Sequence, residues 1–311
     1  MKNLFRKAVV GLLALTGMFS VSSCSKDEVK PEVITKEIPV YVEKGFDPKL
    51  GVITLNFNHF FEGKALELKK EYKTAKGETF TFDQIRYWVS NVELLRKDGS
   101  VYKVPDSYYL VEDMSSEFML GLPRTDTVRV PANKREKVII GNIPVGDYVG
   151  VRFGLGVDEA TNKDFSLTKG ELDINRMFLT SSWVWKTSYI FTRTSGNYKV
   201  DIAGVPSSIG FYFESGGNTN YRTISQNFAQ DIRIAPERDS EVTMNVELQR
   251  LFDGINIMGL PQNQVLPGWS IHNYLASRTK TINAVNAPQM TVLADNASKM
   301  FSIARLRNVN R

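Results

Sequence analysis

The chain has 311 residues, 42% of them hydrophobic and 11% aromatic, with a formal net charge of +5 and a single cysteine. That much apolar surface is enough for one large core or two small ones. One cysteine excludes an internal disulfide, and one cysteine with two histidines excludes a zinc site of the usual Cys/His type unless carboxylates join it.

Residues 1–23 read MKNLFRKAVVGLLALTGMFSVSS. Lys2, Arg6 and Lys7 precede an apolar run from Ala8 to Phe19, which is too short to span a bilayer as a helix. Basic start, short apolar run and small residues are the pattern of a secretory signal. The run ends in VSSC, which resembles a bacterial lipobox with Cys24 as the lipidated residue. Lipidation would also remove a free thiol from an oxidising compartment. The following SKDE resembles the signals that send Bacteroidetes lipoproteins to the outer-membrane surface, so the expected location is the outer membrane, cell-surface exposed or otherwise facing the periplasm. Removal of residues 1–23 takes away three bases and no acid and leaves a formal charge of +2. That is no basic footprint for nucleic acid.

Residues 24–50 mix charges with three prolines and read as a lipidated tether. From residue 51 to 311 a single folded domain is expected. Period-two alternation dominates it, as half-buried strands require. In GVITLNFNHF, Ile53, Leu55, Phe57 and His59 share one face, and Thr54, Asn56 and Asn58 share the other. IRYWVSNVELLRKDGSVYKV predicts two strands around a Lys97-Asp98-Gly99-Ser100 turn, because Asp-Gly supplies the positive φ of a tight hairpin. IPVGDYVGVRFGLGV, DIRIAP and EVTMNVELQRLF add further strands. TFDQIRYW, residues 81–88, reads as a short helix or as following a turn, and Asn296 to Phe301 as a second helix. The fold class is therefore all-β: an antiparallel β-sandwich with long loops.

Enzymatic motifs are missing from the sequence. It has no Gly-rich phosphate loop with lysine, no nucleophile elbow and no His–Asp pair at triad spacing. The acidic residues are scattered. The expectation is a binding protein, not an enzyme.

Several segments together carry a resemblance. FNHFFEGKALEL is followed by YKTAKGETFTFDQIRYWVSNVELLRKDGSVYKVPDSYYLVED. IPVGDYVGVRFGLGVDEATN, LDINRMFLTSSWVWKTSYIFTRTSG, FYFESGG and DNASKMFS come after. In this order and spacing the chain resembles the MbnP-like family, related to the methanobactin-associated periplasmic copper-binding protein. The resemblance implies a β-sandwich, export, and, in metal-binding members, copper held by histidines beside a tryptophan oxidised to kynurenine by a partner haem enzyme. An outer-membrane receptor is the other partner it suggests.

The departures bear on function. Where the resemblance implies three histidines, this chain has Glu214, Arg305 and Arg307, and His59 alone keeps its place. Arginine offers no free lone pair to a metal. The metal candidates are thus His59 and Glu214, at a degenerate copper site. An ion pair from Glu214 to Arg305 or Arg307 is expected where the ligands stood. Trp183, Trp185 and Tyr189 share a parity and form an aromatic candidate site, read either as a core stripe or as a ligand platform. Asp158 and Asn162 read as loop caps, with a calcium site as the alternative. His272 reads as a loop residue. The second reading of the whole is a cell-surface ligand- or protein-interaction lipoprotein that has lost metal binding.

Overall fold

The structure is a computed structural model that describes residues 45–116, 118–121, 127–167, 169–173, 188–257, 280–282 and 288–310. The expected signal, most of the expected tether, Cys24, Trp183, Trp185 and His272 lie outside these residues. The alternation of GVITLNFNHFF becomes β1, Gly51–Phe61, whose odd-numbered residues are buried. Along a strand successive side chains point to opposite faces, so one face of β1 enters the core. Thr54 and Asn56 lie on its other face, half-buried, and Asn58 is exposed there.

Two sheets form the sandwich. The smaller has the order β10 (Lys137–Ile143), β1, β15 (Arg238–Glu247), β17 (Phe301–Asn310), with β2 (Lys64–Ala65) beside β1. The larger has the order β14 (Arg222–Ile234), β11 (Gly146–Leu155), β4 (Thr79–Arg96), β12 (Ile190–Ile202), β13 (Val205–Gly216), β16 (Lys280–Ile282). In it β3 (Glu71–Lys73), β5 (Val101–Lys103) and β6 (Tyr108–Met114) also pair with β4, and β9 (Lys134–Arg135) pairs with β6. A separate hairpin joins β7 (Phe118–Gly121) and β8 (Thr127–Val130). Pairing is antiparallel throughout except β1 with β15 and β13 with β16, which are parallel.

The expected helix over TFDQIRYW does not form, but the alternative, a turn before it, does: residues 75–76 turn, and the Gly77 N–H donates to the Thr74 carbonyl at 2.9 Å. TFDQIRYW itself lies inside β4, an 18-residue strand. From Tyr87 to Ser90 both faces are buried, so tertiary burial on two sides overrides the helical reading. The Lys97–Ser100 turn does form, with Gly99 at φ 84°. The second expected helix begins earlier: α2 spans Pro288–Ser298 and carries Asn296, while Phe301 opens β17. The short helix α1, Glu159–Asn162, has Asp158 as its N-cap.

Aromatic rings lock the two sheets together. Phe57 of β1 meets Phe153 of β11 at 5.9 Å and Phe301 of β17 at 6.2 Å, all edge to face. Such pairs contribute about 0.5–1.5 kcal/mol each beyond area burial. Further along β1, Phe61 packs on Phe80, Phe82 and Phe252.

Candidate functional site

Between β9 and β10 the chain crosses from the larger sheet to the smaller. Lys134 and Arg135 pair with β6 on one side, and Lys137 pairs with Asn56 of β1 on the other. Glu136 is the residue at the crossing, and its carbonyl accepts the Phe57 N–H at 2.7 Å. Its carboxylate thereby meets the inner face of β1 near the end of the core stripe, where His59 stands. His59 Nδ1 lies 3.0 Å from Glu136 Oε1. Asp113 of β6 completes a group whose ligand atoms all lie within 4.8 Å of one another.

The other ring nitrogen of His59 is occupied. Nε2 shares a hydrogen bond of 3.1 Å with the Tyr87 hydroxyl, which reaches across from β4. Nδ1 is different: it is buried and makes no aligned hydrogen bond, although the Glu136 oxygen is close. The two atoms stand at ion-pair distance, with the carboxylate oxygen off the Nδ1–H direction. Lys134 Nζ sits 3.2 Å from Asp113 Oδ2 and 3.3 Å from Glu136 Oε1, so an ammonium already faces both carboxylates.

The electrostatics follow from this crowding. Burial pushes the Glu136 carboxyl upward, but His59 and Lys134 outweigh it and hold the group below its ordinary value. Burial lowers Lys134 while Glu136 and Asp113 raise it, and the attraction wins. Burial, with the Glu136 charge in support, drives the Tyr87 phenol well above its usual range. Tyr87 therefore stays neutral as a hydrogen-bond partner.

A second charged assembly lies on the opposite face of the larger sheet. Arg193 of β12 is paired in register with Arg86 of β4 and with Glu214 of β13, and Arg86 with Glu112 of β6. Register partners share a face, so these four side chains form one row. Arg193 Nη1 is 3.1 Å from Glu214 Oε1, and Arg86 Nε is 3.0 Å from Glu112 Oε2. Arg135, the register partner of Glu112, extends the row and forms a two-toothed ion pair with Glu171 at 2.6 and 2.7 Å. All four residues of the row are buried, and Glu214 is completely so.

The structure separates the residues that the sequence grouped. Tyr87 touches His59, while its neighbour Arg86 belongs to the row of Glu214, so His59 and Glu214 stand on opposite faces of the larger sheet. The expected pair from Glu214 to Arg305 or Arg307 does not form. Arg307 and Arg305 are exposed on β17, in register with Glu241 and Thr243 of the smaller sheet. Between these two positions and Glu214 lies the sandwich core. Glu214 is matched by Arg193 instead, and Arg307 comes within 4.0 Å of Glu241.

Tyr189 is buried and packs edge to face on Phe165 at 5.3 Å and on Trp88 at 6.3 Å. Burial first, then Asp173 and Asp164, push its hydroxyl up to about 12. Asn162 Oδ1 accepts the Tyr189 N–H at 2.8 Å, and its amide donates to Ser188 and Asn218. Asp158 caps α1 and accepts hydrogen bonds from Asn91 and Tyr108. Both residues thus spend their oxygens on the protein. Sequence reasoning missed Asp113, Glu136, Lys134 and Tyr87. Tyr87 could have been found from the alternation of IRYWV, but the carboxylates meet His59 only through the sheet crossing.

The fold is thus a β-sandwich with a histidine–carboxylate group where the chain crosses between its sheets. The chain matches the family described as MbnP over residues 51–272 and belongs to that family. The family is exported and linked to copper. Among solved structures, MbnP from Methylosinus trichosporium aligns at 14% identity with a TM-score of 0.41, over 82% of this chain and 98% of the other. No curated protein matches the chain. Among the described residues no helix is long and apolar enough to cross a membrane.

Copper(I) favours soft or imidazole donors. The described residues bring together one imidazole and two carboxylates, with an ammonium against both carboxylates. That donor set does not fit copper(I).

Proposed function

We propose that this protein is an exported, lipid-anchored binding protein of the MbnP family whose copper(I) site is degenerate. The observation that carries the reading is the buried Arg193–Glu214 pair. Glu214 stands where the resemblance implies a histidine, and a guanidinium beside it already supplies the positive charge that a metal would bring. A copper ion there would have to displace a buried cation or leave it unpaired, at a cost of several kcal/mol. Arg305 and Arg307, at the two other such positions, offer no lone pair. The lipid anchor at Cys24 rests on the VSSC boundary.

The test is a copper(I) titration against a competing chelator, with protein purified from its native host so that a partner haem oxidase has had access to Trp183 and Trp185. Weak binding and unmodified tryptophans by peptide mass spectrometry are expected. Stoichiometric tight binding, or a kynurenine at either position, would restore a working copper site.

A further inference from the structure

We propose that His59 Nδ1, Asp113 and Glu136 form a site for one divalent transition-metal ion of the zinc class, with Lys134 as a tethered cation that keeps the place between the carboxylates. This site shares His59 with the copper site that the resemblance implies, but it lies on the other face of the larger sheet from Glu214 and does not rest on what stands at that position.

Three observations point to a cation. The ligand atoms of an imidazole and two carboxylates already lie within 4.8 Å of one another, before any ion draws them in. His59 is only 3% exposed, and its Nδ1 is a buried polar atom with no aligned hydrogen bond. Its surroundings are a carboxylate oxygen at 3.0 Å and a second carboxylate beyond it. If Nε2 carries the proton and donates to Tyr87, the Nδ1 lone pair faces anionic oxygens. If Nδ1 carries it, the N–H is misaligned with the nearest oxygen, 3.0 Å from the nitrogen. Either tautomer leaves the atom unsatisfied, and a buried polar atom in that state is costly. A metal ion bound through the Nδ1 lone pair resolves both cases. Nε2–H then donates to Tyr87, the outer contact that orients a metal-bound imidazole and fixes its tautomer.

The donor set selects the ion. One nitrogen and two carboxylate oxygens suit a borderline divalent ion such as zinc, with water completing the coordination. Calcium and magnesium take oxygen ligands and leave the imidazole unused. Two carboxylates and one neutral imidazole sum to −2, which a dication balances and Lys134 alone does not. Lys134 has a side chain 55% exposed, so its ammonium can swing into water. Glu136, 23% exposed, opens the same side of the site to solvent. The ligands come from β1, from β6 and from Glu136 between β9 and β10, whose carbonyl is tied to β1 by the Phe57 N–H.

The experiment titrates zinc into the purified, metal-stripped full chain, with any free Cys24 thiol alkylated, against a chromophoric chelator. One equivalent of zinc is expected to bind. Glu136→Gln and Asp113→Asn are each expected to weaken binding by at least about tenfold, by analogy with the loss on removing even outer-shell partners. His272→Ala is expected to leave it unchanged. Lys134→Met replaces no ligand and removes the ammonium that competes for both carboxylates, so affinity should rise about tenfold or more, which is about 1.4 kcal/mol. Thermal stability should rise with added zinc in proportion to occupancy. Should Asp113→Asn or Glu136→Gln fail to fold, Lys134→Met still decides the question. The proposal is overturned if the wild type binds no zinc, if calcium displaces it, if His272→Ala abolishes binding, or if Lys134→Met leaves the affinity unchanged.

Discussion

Arg193 Nη1 lies 3.1 Å from Glu214 Oε1, and Glu214 is completely buried. The guanidinium also sits over the Tyr212 ring, 5.2 Å from its centroid. Removing one partner of a buried pair strands the other charge, which costs about 3–5 kcal/mol. Glu214→Gln and Arg193→Met are therefore each expected to lose that much in denaturant unfolding. The double substitution should lose clearly less than their sum. Additive losses would mean that the two side chains do not act on each other.

The Glu136 carboxyl titrates below its ordinary value of 4.5 in the fold, because attraction to His59 and Lys134 overcomes its burial. A depressed carboxylate contributes stability that is fully present above its unfolded value and is lost as pH falls through the lower folded value. Wild-type stability should decline with acid across that window, and Glu136→Gln should flatten the decline. An unchanged slope in the variant would assign the acid sensitivity elsewhere.

Gly196 stands at a register shift between β12 and β4. A Cβ there would lie 1.7 Å from the Thr81 carbonyl oxygen, a backbone atom that has no room to retreat in the middle of a sheet. Gly196→Ala is expected to destabilise the domain by more than the roughly 1–3 kcal/mol of ordinary overpacking. Gly99→Ala is the control for backbone conformation without a clash, since nothing lies within 4 Å of its Cβ. Gly196 itself is not at positive φ, so undiminished stability in Gly196→Ala would show that the contact with Thr81 sets no cost.

Cys24 follows a short apolar run and two serines. Cys24→Ser is expected to abolish lipid labelling and to release the protein from the membrane fraction or block its processing. Membrane association and labelling that persist in the variant would place the anchor elsewhere.

The strands were legible in the sequence wherever one face meets the core and the other meets solvent, because period-two burial leaves a period-two pattern. Ile53, Leu55, Phe57 and His59 were placed inward by that pattern alone, and they are inward. The pattern fails where both faces are buried, as in the middle of β4, and there the helix alternative for TFDQIRYW is wrong while the turn before it holds. The family was legible because the order of many weak segments is hard to imitate.

Partner choice across the sheets was decided only by tertiary structure. Glu214 chooses Arg193 over Arg305 and Arg307 because antiparallel register sets β12 beside β13, while β17 belongs to the other sheet. His59 meets Asp113 and Glu136 because the chain changes sheets at Glu136, and no local preference encodes that crossing. Sequence alone fixed which side chains face inward, since strand parity is a local property of the backbone. Which charges face one another depends on strand order and register, and these follow from packing the whole chain around one core.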